Sequence, residues 1–293
     1  MELIFDLIIF FFLITVGIFL LQEFHHKRRA IFVLFLFFWL AIFYGSFIEP
    51  RFLIVKQTSI DLVDSPTQTI RAAVLSDIHV GPFKKADWVS KVVKTVRETH
   101  PDVVFILGDF VVKSAADVQW LEPLSKLKAP YGVYAVTGNH EYDANASDEV
   151  ISALESFGIE VIENETLNLE IKGKTIRLAG VSDIWFEGDV TKTMQNVSED
   201  DATILLAHNP DVVLFDDSRL ADLVLAAHTH GGQIRLPLIG PVPALPTKLG
   251  REFDEGWFEY NNQPLFITSG VGETGTRARF FNLPEIVEME IRF

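Results

Sequence analysis

Val103-Val104-Phe105-Ile106-Leu107-Gly108-Asp109 sets five apolar residues directly ahead of a glycine and a carboxylate. A short unbroken apolar run reads as a strand buried on both faces of an α/β sheet. The Asp that follows it falls where open α/β sheets build their sites, at the carboxyl end of a strand. Outward from this stretch the arrangement repeats. Val74-Leu75 leads into Asp77-Ile78-His79, Val133 to Val136 into Gly138-Asn139-His140, Ile204 to Ala207 into His208, and Leu223 to Ala227 into His228-Thr229-His230. Two Asp, one Asn and five of the eight His therefore stand behind strand-like runs. Asp77/His79 and His228/His230 share an i, i+2 spacing, which extended backbone turns to one side. Two such pairs and three single ligands suffice for two metal ions. Imidazole nitrogen with carboxylate and amide oxygen, and no thiolate, suits Zn, Mn or Fe.

Taken singly, each motif has a plainer reading. Asp77-Ile78-His79 would be a solvated pair, Gly108-Asp109 and Gly138-Asn139 turns, and His208 a satisfied buried imidazole. Their shared position behind five apolar runs favours a dimetal site. His25, His26 and His100 fall outside every motif and are expected to be solvated or interfacial.

In this order the motifs resemble those of the calcineurin-like metallophosphoesterases, D-x-H, G-D, G-N-H-[D/E], H and G-H-x-H, over roughly residues 70 to 293. Gly231-Gly232-Gln233, and Ser269-Gly270-Val271-Gly272 through Arg279 to Asn282-Leu283-Pro284-Glu285, are similar to the bacterial membrane-associated phosphodiesterase branch, which includes UDP-2,3-diacylglucosamine hydrolase-like enzymes. The resemblance implies a two-sheet α/β sandwich and two divalent ions. It implies that Asp109 bridges them, that Asp77, His79 and His230 complete the first site, and that Asn139, His208 and His228 complete the second. His140 would protonate the leaving oxygen or steady the phosphoryl charge; alternatively it is structural, bonded to Glu141 or Asp143. Ala227 stands where the family usually has Gly, so its methyl is expected to crowd the site.

The spacing of apolar residues fits this class independently. Strand-like and helix-like segments alternate from Ile70 to Phe157, with Trp88, Val92, Val93 and Val96 marking one helix and Val118, Leu121, Leu124 and Leu127 another, which argues for crossover units and a largely parallel sheet. After Gly158 strands dominate, beginning with a hairpin about Lys172-Gly173-Lys174. Arg51 to Val55 and Ile60 to Val63 read as an edge strand entering the domain. A helix is expected around Asp211 to Asp217, and Pro237 to Trp257 is expected to wall the pocket.

The N-terminus differs from the rest: 12 of the 25 Phe lie in the first 50 residues. Leu3 to Leu21 and Ala30 to Ile48 are each 19 residues with at most one charge, near the length that crosses a bilayer core. We therefore expect a transmembrane helical hairpin over 1-50, a connecting segment over 51-68 and the catalytic domain over 69-293. Basic Lys27, Arg28 and Arg29 between the helices are expected to hold the loop in the cytoplasm and the domain outside, while Arg51 and Lys56 after the second helix weaken that bias and leave the cytoplasmic face as the alternative. The chain start lacks the features of a cleaved signal peptide.

The formal charge of −15 disfavours a nucleic acid partner. The partners expected are the bilayer and a phosphoester or pyrophosphate substrate, such as a lipid-linked one. A non-catalytic membrane-tethered scaffold of the same fold would be expected to have lost a ligand, and none is missing. In an amidohydrolase barrel His-x-His would follow the first strand; here it follows the last ligand-bearing one.

Overall fold

The computed structural model describes residues 2–25 and 29–293. His26, Lys27 and Arg28, which carry part of the topology argument, lie outside the described residues, as does the side chain of His25. The chain opens with α1 (Glu2–His25) and α2 (Arg29–Phe43), which lie side by side: the Trp39 indole donates to the Leu13 carbonyl at 2.9 Å, and the Phe19 and Phe35 rings are 5.0 Å apart. Among the described residues one helical stretch, Arg29–Arg51, is long and apolar enough to cross a membrane; the apolar part of α1, Leu7–Gln22, is shorter. The helix loosens into a wide turn at Tyr44–Ile48. There Gly45 lets the backbone come against the domain, since a Cβ would lie 3.1 Å from the Arg279 carbonyl.

The remaining strands are β1 (Ile54–Asp61), β2 (Thr69–Leu75), β3 (Val103–Leu107), β4 (Val133–Val136), β5 (Glu160–Val161), β6 (Glu165–Ile171), β7 (Lys174–Gly180), β8 (Thr203–Leu206), β9 (Leu223–Ala226), β10 (Arg235–Leu236), β11 (Gly240–Pro241), β12 (Gly256–Tyr260), β13 (Gln263–Ile267) and β14 (Glu285–Arg292). The helices among them are α3 (Ala86–Glu98), α4 (Asn139–Asp143), α5 (Ser147–Ser156) and α6 (Val190–Met194). One six-stranded sheet runs β1-β14-β2-β3-β4-β5, the other β12-β13-β9-β8-β7-β6. The two-sheet α/β sandwich is as expected, with β1 at an edge and β2 through β5 parallel.

Because β3 is buried along its whole length, it has a core on each face. Val74, Phe105, Leu107, Leu206 and Leu225 pack between the sheets. On the outer face Val104 and Ile106 meet Val89, Val92, Val93 and Val96 of α3, the i, i+3, i+4, i+7 stripe of an amphipathic helix. His100 follows that helix at φ 49° and closes it, its N–H on the Arg97 carbonyl.

Two helices expected from spacing are 3₁₀ turns. Val118, Leu121, Leu124 and Leu127 recur every third residue, and side chains at i and i+3 eclipse in a 3₁₀ helix. Ala115–Lys126, with Pro123 inside it, has this form. The helix expected around Asp211 is likewise two short 3₁₀ turns, Pro210–Leu214 and Asp216–Leu220. Ala227 is fully buried and packs into the core between the sheets, so its methyl fills that core instead of crowding the site.

Candidate metal centre

All five motifs follow the carboxyl ends of strands that lie together: Asp77 after β2, Asp109 after β3, Asn139 after β4, His208 after β8 and His228 after β9. The carboxyl ends of interior strands of both sheets thus meet at the site. The i, i+2 pairs do not use extended backbone, contrary to expectation. Asp77, His79, Asp109, His228 and His230 have φ of 54°, 49°, 54°, 69° and 52°. A non-glycine residue there gives up ~1–2 kcal/mol, so the convergence of these side chains is imposed by their surroundings.

Glycines make the room. A Cβ on Gly138 would stand 2.3 Å from Asp109 Oδ1, and one on Gly270, itself at φ 70°, would stand 2.5 Å from Asp77 Oδ2. Arg279, fully buried, clamps the second of these contacts by donating to the carbonyls of Ser269 (2.7 Å), Gly270 (3.2 Å) and Gly272 (2.6 Å). Glu141 secures the first. Its buried carboxylate accepts from the backbone N–H of Gly138, Asp109, Phe110 and Val111 at 2.7–3.3 Å, tying the turn after β3 to the turn after β4.

Asp109 is common to two groups of buried ligands. Asp77, His79, Asp109 and His230 form one, and Asp109, His208 and His228 the other; within each, the ligand atoms lie within 4.8 Å of one another. Asp109 Oδ2 is 3.4 Å from His79 Nε2 and 3.2 Å from His208 Nε2. His79 Nε2 and His230 Nε2 are 3.1 Å apart, and His208 Nε2 and His228 Nδ1 are 3.0 Å apart. Both oxygens of Asp77 and the Oδ1 of Asn139 are buried without a hydrogen-bond partner, a costly state unless a cation takes those lone pairs. His208 donates Nδ1–H to the Leu107 carbonyl at 2.7 Å, leaving Nε2 directed at Asp109. The residues present therefore fit two divalent ions.

Charge agrees with geometry at three of the four candidate histidine ligands. Burial pulls His79 and His228 down to about 3 and His230 well below its ordinary value, so these imidazoles stay neutral, the form that ligates metal. Burial also pulls on His208, but Asp109, Asp77 and Asp183 overrule it and raise the group to about 10. Asp109, against burial, is held well below the carboxylate range by His208 and His79. Burial raises Asp77 to about 7. Carboxylates are thus concentrated in a dry pocket, a charge that divalent cations relieve.

His140 lies beside this group, not in it. Its ring meets the His79 ring edge-on at 4.6 Å, its Nδ1 donates to the Val112 carbonyl at 2.7 Å, and its Nε2 faces Thr274 Oγ1 at 3.4 Å. Neither Glu141 nor Asp143 holds the ring, so the structural alternative considered for it does not describe its contacts. His140, Asn139, Trp185, Gln233 and Thr274 line a cleft of about 350 Å³ over the ligands. Pro243, Ala244 and Pro246 supply part of its wall, as expected of the 237–257 stretch. Sequence reasoning missed Trp185, whose ring stands edge-on to His228 at 4.5 Å. No neighbouring motif marks it.

Residues 70–232 match the sequence pattern of the calcineurin-like phosphoesterases. The chain belongs to this family. An uncharacterized metallophosphoesterase of Helicobacter pylori (strain ATCC 700392 / 26695) is 32% identical over 264 residues, covering 87% of this chain and 67% of that protein. The metallophosphoesterase YkuE of Bacillus subtilis is 28% identical over 257 residues, 85% of this chain and 89% of its own length. A Danio rerio protein described as a transmembrane protein with metallophosphoesterase domain is 29% identical over 264 residues, 83% of this chain and 58% of its own. This metallophosphoesterase is accordingly a metal-dependent phosphoesterase with a site suited to two ions, and its apolar N-terminal span and relatives of this kind indicate membrane association.

Proposed function

We propose that this metallophosphoesterase hydrolyses a phosphodiester or pyrophosphate bond of a lipid-linked substrate, such as a nucleoside-diphosphate lipid, at the membrane surface. Asp77, His79, Asp109 and His230 hold one ion, and Asp109, Asn139, His208 and His228 the other. The observation that carries the reading is the single oxygen Asp109 Oδ2 lying within 3.4 Å of an imidazole nitrogen from each group. When bound, the two ions supply positive charge to the phosphoryl oxygens and acidify the attacking water. His140, its Nδ1–H engaged by Val112, keeps Nε2 free on the cleft side to carry the proton that the leaving oxygen needs. Trp185 and the Pro243–Pro246 stretch wall the cleft over the candidate ligands. All seven candidate ligands are retained, which favours catalysis over a scaffold role.

The chain divides in this reading into a membrane hairpin (1-50), a connecting segment (51-68) and the catalytic domain (69-293), with that domain on the outer side of the membrane. The lipid-linked substrate is supported by closeness: the end of the apolar span docks on the loops that carry the site, where Arg279 N donates to the Gly45 carbonyl at 2.9 Å. The test is metal analysis of the purified full chain together with assays on a soluble phosphodiester, a phosphomonoester and a UDP-linked diacyl lipid. About two ions per chain and preference for the lipid are expected. Preference for the monoester would overturn the substrate assignment.

A further inference from the structure

Between α1, α2 and the domain runs a second cavity, of about 370 Å³, within the range of small-ligand sites. Ile8, Phe12, Ile42, Ala278 and Phe280 are among its walls, and its polar contributors are limited to Ser46 and Thr276. Two of its lining residues, Ile234 and Thr276, also line the cleft over the metal ligands. The apolar cavity and the polar cleft thus adjoin, with these two residues common to both. The wall between them is fixed by backbone bonds, Phe280 N–H to the Gln233 carbonyl at 2.9 Å and Arg235 N–H to the Phe280 carbonyl at 2.8 Å. The hairpin that follows Ile234 ends in the exposed apolar residues Leu238 and Ile239, and Phe281 is exposed beside Phe280.

We infer that this cavity takes the hydrocarbon tail of the substrate while its phosphoester lies in the metal cleft. The inference rests on the phosphodiesterase reading above and adds to it a tail site built jointly by the membrane helices and the 276–280 segment. A tail entering there leaves bulk lipid and gains contact with Ile42, Phe280 and Ala278, and its path to the metal ligands passes Ile234 and Thr276. The α1–α2 pair is then a part of substrate recognition as well as an anchor.

The test uses the full chain in detergent with a series of alkyl p-nitrophenyl phosphates, from methyl to tetradecyl. For the shorter esters, which enter from water, each methylene that reaches the cavity is expected to raise kcat/KM, by up to about fourfold, until the cavity is filled. In Ile42→Trp and Ile8→Trp, which fill it from α2 and from α1, the tetradecyl-to-methyl ratio should collapse toward that of the shortest esters. A gain with chain length that persists in both variants would assign it to micelle partition and overturn the tail site. A flat series with active enzyme would overturn the tail site alone, whereas failure to hydrolyse even the methyl ester with metals supplied would overturn the phosphodiesterase reading beneath it. Independently of any variant, a tail-end diazirine analogue should label Ile42 or Phe280; labelling confined to the outward Phe37 and Phe38 would point to bulk lipid and sink the proposal.

Discussion

Asn282 donates its side-chain Nδ2 to the backbone carbonyl of His230 at 2.7 Å. Its backbone N–H bonds Glu49 Oε1 at 2.5 Å, so one buried residue joins the end of the apolar span to a candidate metal ligand. His230 sits at φ 52°, and its turn is held partly by this bond. Asn282→Leu removes the donor and leaves a buried carbonyl unpaired, at a cost of about 1–3 kcal/mol. Metal affinity at the group containing Asp77, His79 and His230 is expected to fall roughly 10–100-fold. Stepwise metal titration checks it, and unchanged affinity at that group would dismiss the coupling.

Asp109→Asn is expected to weaken both ion sites together, because Oδ2 faces imidazoles of both groups and a neutral amide is a poorer bridge. Turnover should fall by several orders of magnitude. Loss of about one ion per chain, with the other retained at wild-type affinity, would show that the carboxylate serves a single site.

His140→Ala should leave metal content intact and lower turnover by roughly 10²–10⁴, the usual worth of a general acid. The loss should be smaller for p-nitrophenolate than for an alkoxide leaving group, which needs the proton more. Equal losses for both would assign His140 to charge stabilisation.

Lys84 is buried where the span meets the domain, with Nζ 2.9 Å from Glu273 Oε2, 3.2 Å from the Pro50 carbonyl and 3.1 Å from that of Val271. Lys84→Met strands the Glu273 carboxylate and is expected to destabilise by about 3–5 kcal/mol, while Lys84→Met with Glu273→Gln should recover much of the loss. Burial lowers Lys84 to about 8 from 10.5. Between those values the unfolded chain binds more protons than the folded one, so wild-type stability rises with pH there. The gap between wild type and Lys84→Met should therefore widen above about pH 8 in denaturation experiments; a gap that narrows would contradict the assignment.

Topology has its own check. If Lys27, Arg28 and Arg29 hold the loop in the cytoplasm, protease added to intact spheroplasts should digest the domain after Pro50, and neutralising the three should scramble the orientation. Protection until lysis would place the domain in the cytoplasm.

The sequence by itself determined the strand ends and the candidate ligands. Five buried apolar runs, each followed by Asp, Asn or His, leave little choice of fold, because only a sheet buried on both faces needs such runs and their carboxyl ends collect at one edge. The stripe of α3 was legible for the same reason: burial imposes its period locally. Tertiary structure alone decided the rest. The turns of Asp77, His79, Asp109, His228 and His230 are left-handed, a state that is uncommon for any residue with a Cβ even though Asp and His tolerate it best, and no local pattern announces it. Glu141, Arg279 and Asn282 act on backbone carbonyls or N–H groups, which every residue carries, and their partners cannot be read from side-chain identity. Trp185 reaches His228, and Glu49 reaches Asn282, from positions far away along the chain. Such contacts follow from how the layers pack, and packing depends on the whole set of buried surfaces at once, not on any segment's own periodicity.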